Sequence, residues 1–273
     1  MYKGYIEVQS TEEEWSNLYS NPENNMFNCL NNQYLCIKNK DGEIVDKLKW
    51  AADKYKQLNY KQINNTYTGK IKPRNPQQEL AFDLLQDKQS TIKVISGRFG
   101  SGKTFLMVAS ALQAIFENKF EKIVWVRNNI NVKDTKDLGA LPGTELEKLL
   151  PYVMPLADHV GGVDGIEMLM YQKKLEVQHL GFIRGRDIKN SIILCSEAEN
   201  LTKQHVQLLI GRVGEGSNLW LDGDFKQVDS KVFEENSGLG IAIDKLKGNP
   251  LFGYVHLEKS ERSATAALAD LLD

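Results

Sequence analysis

From residue 76 onward the sequence predicts an α/β fold, a mostly parallel sheet with helices on both faces. Two patterns carry this. Short apolar runs alternate with segments of helical period. The stretches between successive runs are long enough for a crossover helix, which parallel neighbours need. A third observation is local: a glycine-rich segment stands where the first run gives way to the first long helical period after it. Residues 1 to about 70 read differently, as a small β-containing appendage or strap, so the expected domains are 1–70 and 71–273.

In chain order, residues 1 to about 70 hold 11 asparagines, few long apolar runs and no clear amphipathic helix beyond about 45–61. QYLCIK and EIVDKLKW flank NKDG, which reads as a β-hairpin with a glycine turn. IKPRN (71–75) carries a proline and marks the start of the main domain. Strands are predicted at TIKVIS (91–96), KIVWVR (122–127), LEVQHL (175–180), SIILC (191–195), NLWLDGD (218–224) and YVHLEK (254–259). A helix over about 103–117 follows from KTFLMVASALQAIF, which keeps an apolar face and contains neither Gly nor Pro. Further helices are expected at about 76–87, 144–159, 202–213, 238–247 and 263–272.

Composition narrows the function. With 273 residues and 41% hydrophobic content the chain can bury a sizeable core without staples. Lys and Arg number 34 against 36 Asp and Glu, which argues against a generic polycation that coats nucleic acid or anionic membrane. Cys29, Cys36 and Cys195 form no C-x-x-C pair and suit a reducing compartment; Cys195, ending a buried run, is expected to be inert. The histidines at 159, 179, 205 and 256 have no metal spacing. No apolar run reaches the roughly 18–20 residues of a membrane span, and the first residues carry no secretory apolar region. The cytoplasm is the expected address and no membrane partner is expected.

The sharpest signal is Gly97-Arg98-Phe99-Gly100-Ser101-Gly102-Lys103-Thr104, which fits G-x-x-x-x-G-K-[ST] at every fixed position. Between a buried strand and a helix, such a loop aims backbone N–H groups and the helix N-terminus at a polyphosphate. The glycines leave room for the anion. Lys103 is expected to bridge the β- and γ-phosphates, and the Thr104 hydroxyl to reach magnesium. The nucleotide-contacting stretch runs from Gly97 through Phe105.

A phosphate loop holds a nucleotide but needs a carboxylate at a neighbouring strand end to orient the attacking water. SIILC-Ser196-Glu197-Ala198-Glu199-Asn200 is that strand end. In the common arrangement an Asp holds the metal-bound water and the next Glu polarises the attacking one. Ser196 occupies the Asp position here, as a metal-side candidate with Thr104, and Glu197 is the candidate base. The next strand ends in Asp222-Gly223-Asp224-Phe225-Lys226-Gln227, where Gln227 is the candidate sensor of the γ-phosphate. Of Arg184, Arg186, Arg212 and Arg262, the last directly follows a predicted strand and is the first choice to stabilise transferred charge.

Several segments together resemble the PhoH family of phosphate-loop ATPases: IKPRNPQQELAFDLL, GRFGSGKT, LGALPGTELEKLLPYVMPL, FIRGRD, SEAEN, GRVGEGS, GDFKQVD and NPLFGYVHLEKSERSATAAL, all in family order. The resemblance covers about residues 71–273 and is strongest to the branch in which this domain follows a PIN ribonuclease domain. No PIN domain fits residues 1–70, which are too short and lack an acidic cluster for two metals; they resemble that branch's connecting segment. The resemblance implies a RecA-like core related to superfamily 1 helicases, ATP with magnesium as ligands, and a ring, often hexameric. It further implies that Gln78 reads the adenine edge and that Arg127 is a site residue. The chain departs from the family pattern at Asn128 (usually Pro), Ser196 (usually Asp) and Glu199 (usually Gln).

The leading expectation is therefore ATP hydrolysis coupled to single-stranded RNA binding or unwinding. Lys70, Lys72, Arg74, Arg184, Arg186 and Lys189 are the candidates for RNA phosphates. Only Phe182 adjoins them as a stacking ring, so sequence-specific readout is not suggested. The alternative is a nucleotide-dependent switch or scaffold that hydrolyses slowly because Ser196 carries no charge. A small-molecule kinase is a third class; GDFKQVD and the lack of an arginine-rich lid argue against it.

Overall fold

The computed structural model describes residues 2–127, 145–228, 233 and 237–261. Among the described residues of the N-terminal part, strands β1 (Tyr5–Gln9), β2 (Tyr34–Lys38), β3 (Ile44–Ala51) and β4 (Lys54–Gln57) form one sheet in that order. The expected hairpin is β2–β3: the Asn39 side-chain oxygen accepts from Asp41 N–H at 3.0 Å and Glu43 N–H at 2.9 Å, and Gly42 takes φ 81°. The helical period expected at about 45–61 is instead strand, because Trp50 and Tyr55 meet across the β3–β4 pair with ring centroids 4.8 Å apart. One helix escaped the sequence pattern, α1 (Glu12–Ser20), started by a capping box between Thr11 and Glu14. A short hairpin, β5 (Ile63–Asn65) with β6 (Gly69–Ile71), leads to α2 (Pro76–Gln86).

The main sheet contains β7 (Ile92–Gly97), β8 (Lys122–Arg127), β9 (Leu175–His179), β10 (Ser191–Cys195), β11 (Asn218–Gly223) and β12 (Phe252–Leu257). Its spatial order is β12-β7-β11-β10-β8-β9, and every pair is parallel. Each strand matches a predicted apolar run to within two residues at either end. Residues of β10 are buried throughout, as expected of a strand covered on both faces. Helices α2, α3 (Lys103–Phe116), α4 (Glu145–Val160) and α5 (Val163–Tyr171) pack one face, and α6 (Lys203–Ile210) and α7 (Gly238–Leu246) the other. Trp125 and Val124, successive on β8, point to opposite cores. Helix α5 was missed because glycines at 161, 162 and 165 interrupt its pattern. The helix expected at 263–272 lies outside the described residues.

Because all six strands run one way, their carboxyl ends share one edge. That edge carries Gly97, Arg127, Ser196, Gly223 and Leu257, and the crossovers reverse direction around β7. Ligands of open parallel sheets bind outside such an edge.

Candidate nucleotide site

Gly97 ends β7 where no side chain fits: a Cβ there would stand 2.6 Å from the Leu257 carbonyl oxygen. Gly100 and Gly102 adopt φ 75° and 86°, which fold the loop back onto the start of α3. Gly102 is the N-cap of α3 and brings no side-chain cap, so first-turn N–H groups face the loop. Ser101 N–H donates to Arg98 O at 3.2 Å, and the Lys103 ammonium folds back to the same carbonyl at 3.4 Å. Phe99 is 55% exposed. Phe105 packs its ring 5.3 Å from that of His159.

Two distant segments clamp this loop. Glu261 N–H donates to Gly100 O at 2.9 Å, and the Ser260 hydroxyl to Phe99 O at 3.3 Å. Asn75, the N-cap of α2, donates its side-chain amide to Glu261 Oε1 at 2.8 Å. Gln78 is buried; its Oε1 accepts Arg74 N–H at 2.9 Å, and its Nε2 donates to Ser101 O at 3.2 Å. It stands at the floor of a cleft of about 600 Å³ walled by Lys70, Lys72, Arg74, Gly100 and Phe105. The basic stretch 70–74 thus lies beside the phosphate loop.

Across the sheet edge, Ser196 follows β10 and is buried. Glu197 holds a left-handed backbone, φ 56° and ψ 43°, and its carboxylate forms an ion pair with Arg127 at the end of β8. Its N–H donates to Asp222 Oδ1 at 3.0 Å. Glu199 is buried and accepts Asp224 N–H at 3.0 Å. Burial, reinforced by the charge of Asp222, pushes the Glu199 carboxyl up to about 8. Gln227 lies exposed in the turn after β11, its N–H donating to Asp224 O at 2.9 Å. Arg262 lies outside the described residues.

Sequence reasoning passed over Asp222. It ends the apolar run NLWLD on the strand between the Ser196 strand and the phosphate-loop strand, and only 1% of it is exposed. Burial raises its pKa, opposed by the Lys103 ammonium and by the Thr104 and Ser196 hydroxyls. An acidic residue directly after the apolar run Leu219–Leu221 was the available signal.

Elsewhere the basic candidates divide. Arg186 pairs with Glu176 at 2.5 Å and Lys189 with Asp187 at 3.4 Å, while Arg184 is exposed beside Phe182, itself 77% exposed. Cys29, Cys36 and Cys195 are buried free thiols, and burial pushes all three thiols up. No helix among the described residues is long and apolar enough to cross a membrane.

A parallel six-stranded sheet flanked by helices, with a glycine-walled loop joining an interior strand to a helix, defines a nucleotide-binding phosphate-loop protein of RecA-like build. The chain belongs to the PhoH family: the family model described as PhoH-like protein matches residues 70–269. The chain is 32% identical to Protein PhoH2 of Bacillus subtilis over 289 aligned residues, covering 100% of this chain and 64% of that protein. Protein PhoH2 of Mycolicibacterium smegmatis is 34% identical over 201 residues, 72% of this chain and 46% of the relative. A PhoH-like protein of Bacillus subtilis is 33% identical over 168 residues, 60% of this chain and 52% of the relative. The chain thus spans from about half to just under two thirds of the length of these curated relatives.

Proposed function

We propose that this chain binds ATP together with magnesium, hydrolyses it, and couples hydrolysis to single-stranded RNA. The observation that carries the reading is the glycine-walled loop at the sheet edge with the Glu197 carboxylate on the same edge. Lys103 releases the Arg98 carbonyl for the triphosphate, and the cleft beside Gln78 receives the base. Glu197 accepts a proton from the attacking water, positioned for this by Arg127. Gln227 senses the γ-phosphate, and Arg262 supplies the transition-state guanidinium.

Magnesium suits the donors present. Thr104 and Ser196 offer hard hydroxyl oxygens, and the described residues contain no group of three His, Cys, Asp or Glu arranged as a protein-only metal cage. A site that shares its metal with substrate phosphates needs no such cage. When bound, the ion neutralises charge on the β- and γ-phosphates.

RNA is assigned to the exposed Phe182 and Arg184 beyond β9, a stacking ring with a guanidinium. Lys70, Lys72 and Arg74 are assigned to the nucleotide cleft instead. A homo-oligomeric, hexameric ring in the cytoplasm completes the reading, supported by the family resemblance and by buried free thiols. A nucleotide-dependent switch is the second reading, favoured by the uncharged Ser196.

The deciding experiment measures phosphate release by wild type and Lys103→Ala, with and without single-stranded RNA. Wild type turns over, RNA accelerates it, and Lys103→Ala falls by about a hundredfold or more. Equal rates for both proteins sink hydrolysis, and a rate indifferent to RNA sinks the coupling. Light scattering checks the ring.

A further inference from the structure

The position that carries the metal-side carboxylate in the common arrangement is Ser196, which has none. A carboxylate nonetheless stands level with it. In the register of β10 with β11, Cys195 pairs with Leu221, so the next residues, Ser196 and Asp222, leave the two strands side by side. In the register of β11 with β7, Asp222 pairs with Ile95, which sets it beside the strand that feeds the phosphate loop. The side chain is 1% exposed. Oδ1 accepts the Glu197 N–H at 3.0 Å, while Oδ2 makes no well-formed hydrogen bond, although the Thr104 and Ser196 hydroxyls stand near enough to the carboxylate to favour its charged form.

A buried carboxylate oxygen without a well-formed partner is costly, and it calls for a water, an ion or a ligand to complete it. The groups that act on Asp222 from α3 are those of the triphosphate site itself, the Lys103 ammonium and the Thr104 hydroxyl; from β10 it is the Ser196 hydroxyl. An anion set among these groups suits a hard divalent cation better than a bare phosphate, which it would repel.

We infer that Asp222, on the strand adjoining that of Ser196, supplies the carboxylate that holds magnesium with Thr104, so that the charge missing at position 196 is restored from the neighbouring strand. This rests on the magnesium–triphosphate reading above. It assigns Ser196 a supporting role, its hydroxyl acting on the Asp222 carboxylate, and it removes the main argument for a slow switch.

The test separates metal from nucleotide. Binding of a fluorescent, slowly hydrolysed ATP analogue is titrated once with magnesium and once with EDTA, on wild type, Asp222→Asn, Asp222→Ser, Ser196→Ala and the exchanged pair Ser196→Asp with Asp222→Ser. In wild type magnesium tightens binding. Asp222→Asn loses this tightening by about tenfold or more, while its affinity in EDTA is unchanged or higher because a negative charge has gone. Ser196→Ala retains most of it. The exchanged pair keeps one carboxylate and one hydroxyl in the same space and retains the tightening, which Asp222→Ser alone loses; that contrast decides the matter should Asp222→Asn fail to fold. Electron paramagnetic resonance of manganese bound with the analogue gives a readout independent of turnover: the bound-manganese signal persists in the exchanged pair and is lost in Asp222→Asn. Full magnesium dependence in folded Asp222→Asn, or its loss in the exchanged pair, overturns the inference. Wild type that binds the analogue under neither condition instead overturns the nucleotide reading on which it rests.

Discussion

Glu197, the base in the proposed function, holds a backbone conformation that costs stability. Its φ of 56° is one that side chains other than glycine rarely adopt, at a cost of about 1–2 kcal/mol. The conformation is held from outside the residue, by the Asp222 carboxylate on its N–H and the Arg127 guanidinium on its side chain. Under the proposed function this strained shape places the carboxylate for the attacking water. Two substitutions therefore separate strain from chemistry. Both Glu197→Ala and Glu197→Gly remove the carboxylate and should reduce hydrolysis to the Lys103→Ala level. Only glycine relieves the strain, so Glu197→Gly should be more stable than Glu197→Ala by about 1 kcal/mol in urea denaturation. Equal stabilities would mean that the strain is no larger than the entropy glycine adds to the unfolded chain.

At the scale of elements, legibility followed burial. The six strands of the main sheet were readable because covering both faces leaves continuous apolar runs such as SIILC, whose ends are sharp. The phosphate loop was readable because its glycines answer a local steric demand. Strand β4, with one of its four residues buried, and helix α1, with Leu18 its one buried residue, were not readable, since their support comes from sequence-distant partners. Asp222 was hidden for a related reason: an Asp before Gly reads as a turn, and only pairing with β10 and β7 shows it buried. Lys93 is a comparable exception within β7. Its ammonium is buried, donating to Leu85 O at 2.9 Å and Asp87 O at 2.6 Å at the end of α2, with the Trp220 ring centroid 5.5 Å away. Burial lowers its pKa from 10.5 to about 7, against the opposing pull of Asp87. Between those two values the unfolded chain binds more protons than the folded one, so this group's contribution to stability rises as pH rises. Below about 7 both states are charged and the burial penalty is fully present. Relative to Lys93→Met, which leaves the two carbonyls unpaired at every pH, wild type should gain roughly 1–3 kcal/mol between pH 7 and 9.5. Urea denaturation of both proteins at the two pH values measures this, and parallel pH curves would refute it.

For the whole molecule, α2 joins the two sheets to the loop. Its first turn carries Asn75 and Gln78, which hold Glu261 and Ser101. Farther along, Asp83 accepts the Tyr34 hydroxyl at 2.8 Å and the Asn59 N–H at 2.7 Å, while Asp87 pairs with Lys49 at 3.3 Å. Tyr5, Tyr34 and Cys36 of the N-terminal sheet share one apolar cluster with α2 and α3, and Lys3 O accepts His256 N–H at 2.9 Å on the edge strand β12. Docking therefore runs through a shared core reinforced by buried polar contacts, and the two sheets should unfold together. Tyr34→Phe tests this. It keeps the ring but leaves Asp83 Oδ2, in a side chain only 8% exposed, with the Lys49 ammonium 4.0 Å away. A buried acceptor stripped of its donor costs about 1–3 kcal/mol. Calorimetry should show one transition moved to lower temperature, with the midpoint still rising on addition of nucleotide and magnesium because the phosphate loop is untouched. Two transitions, of which only the nucleotide-insensitive one responds to Tyr34→Phe, would show instead that the N-terminal sheet melts by itself and that α2 does not transmit its docking to the nucleotide site.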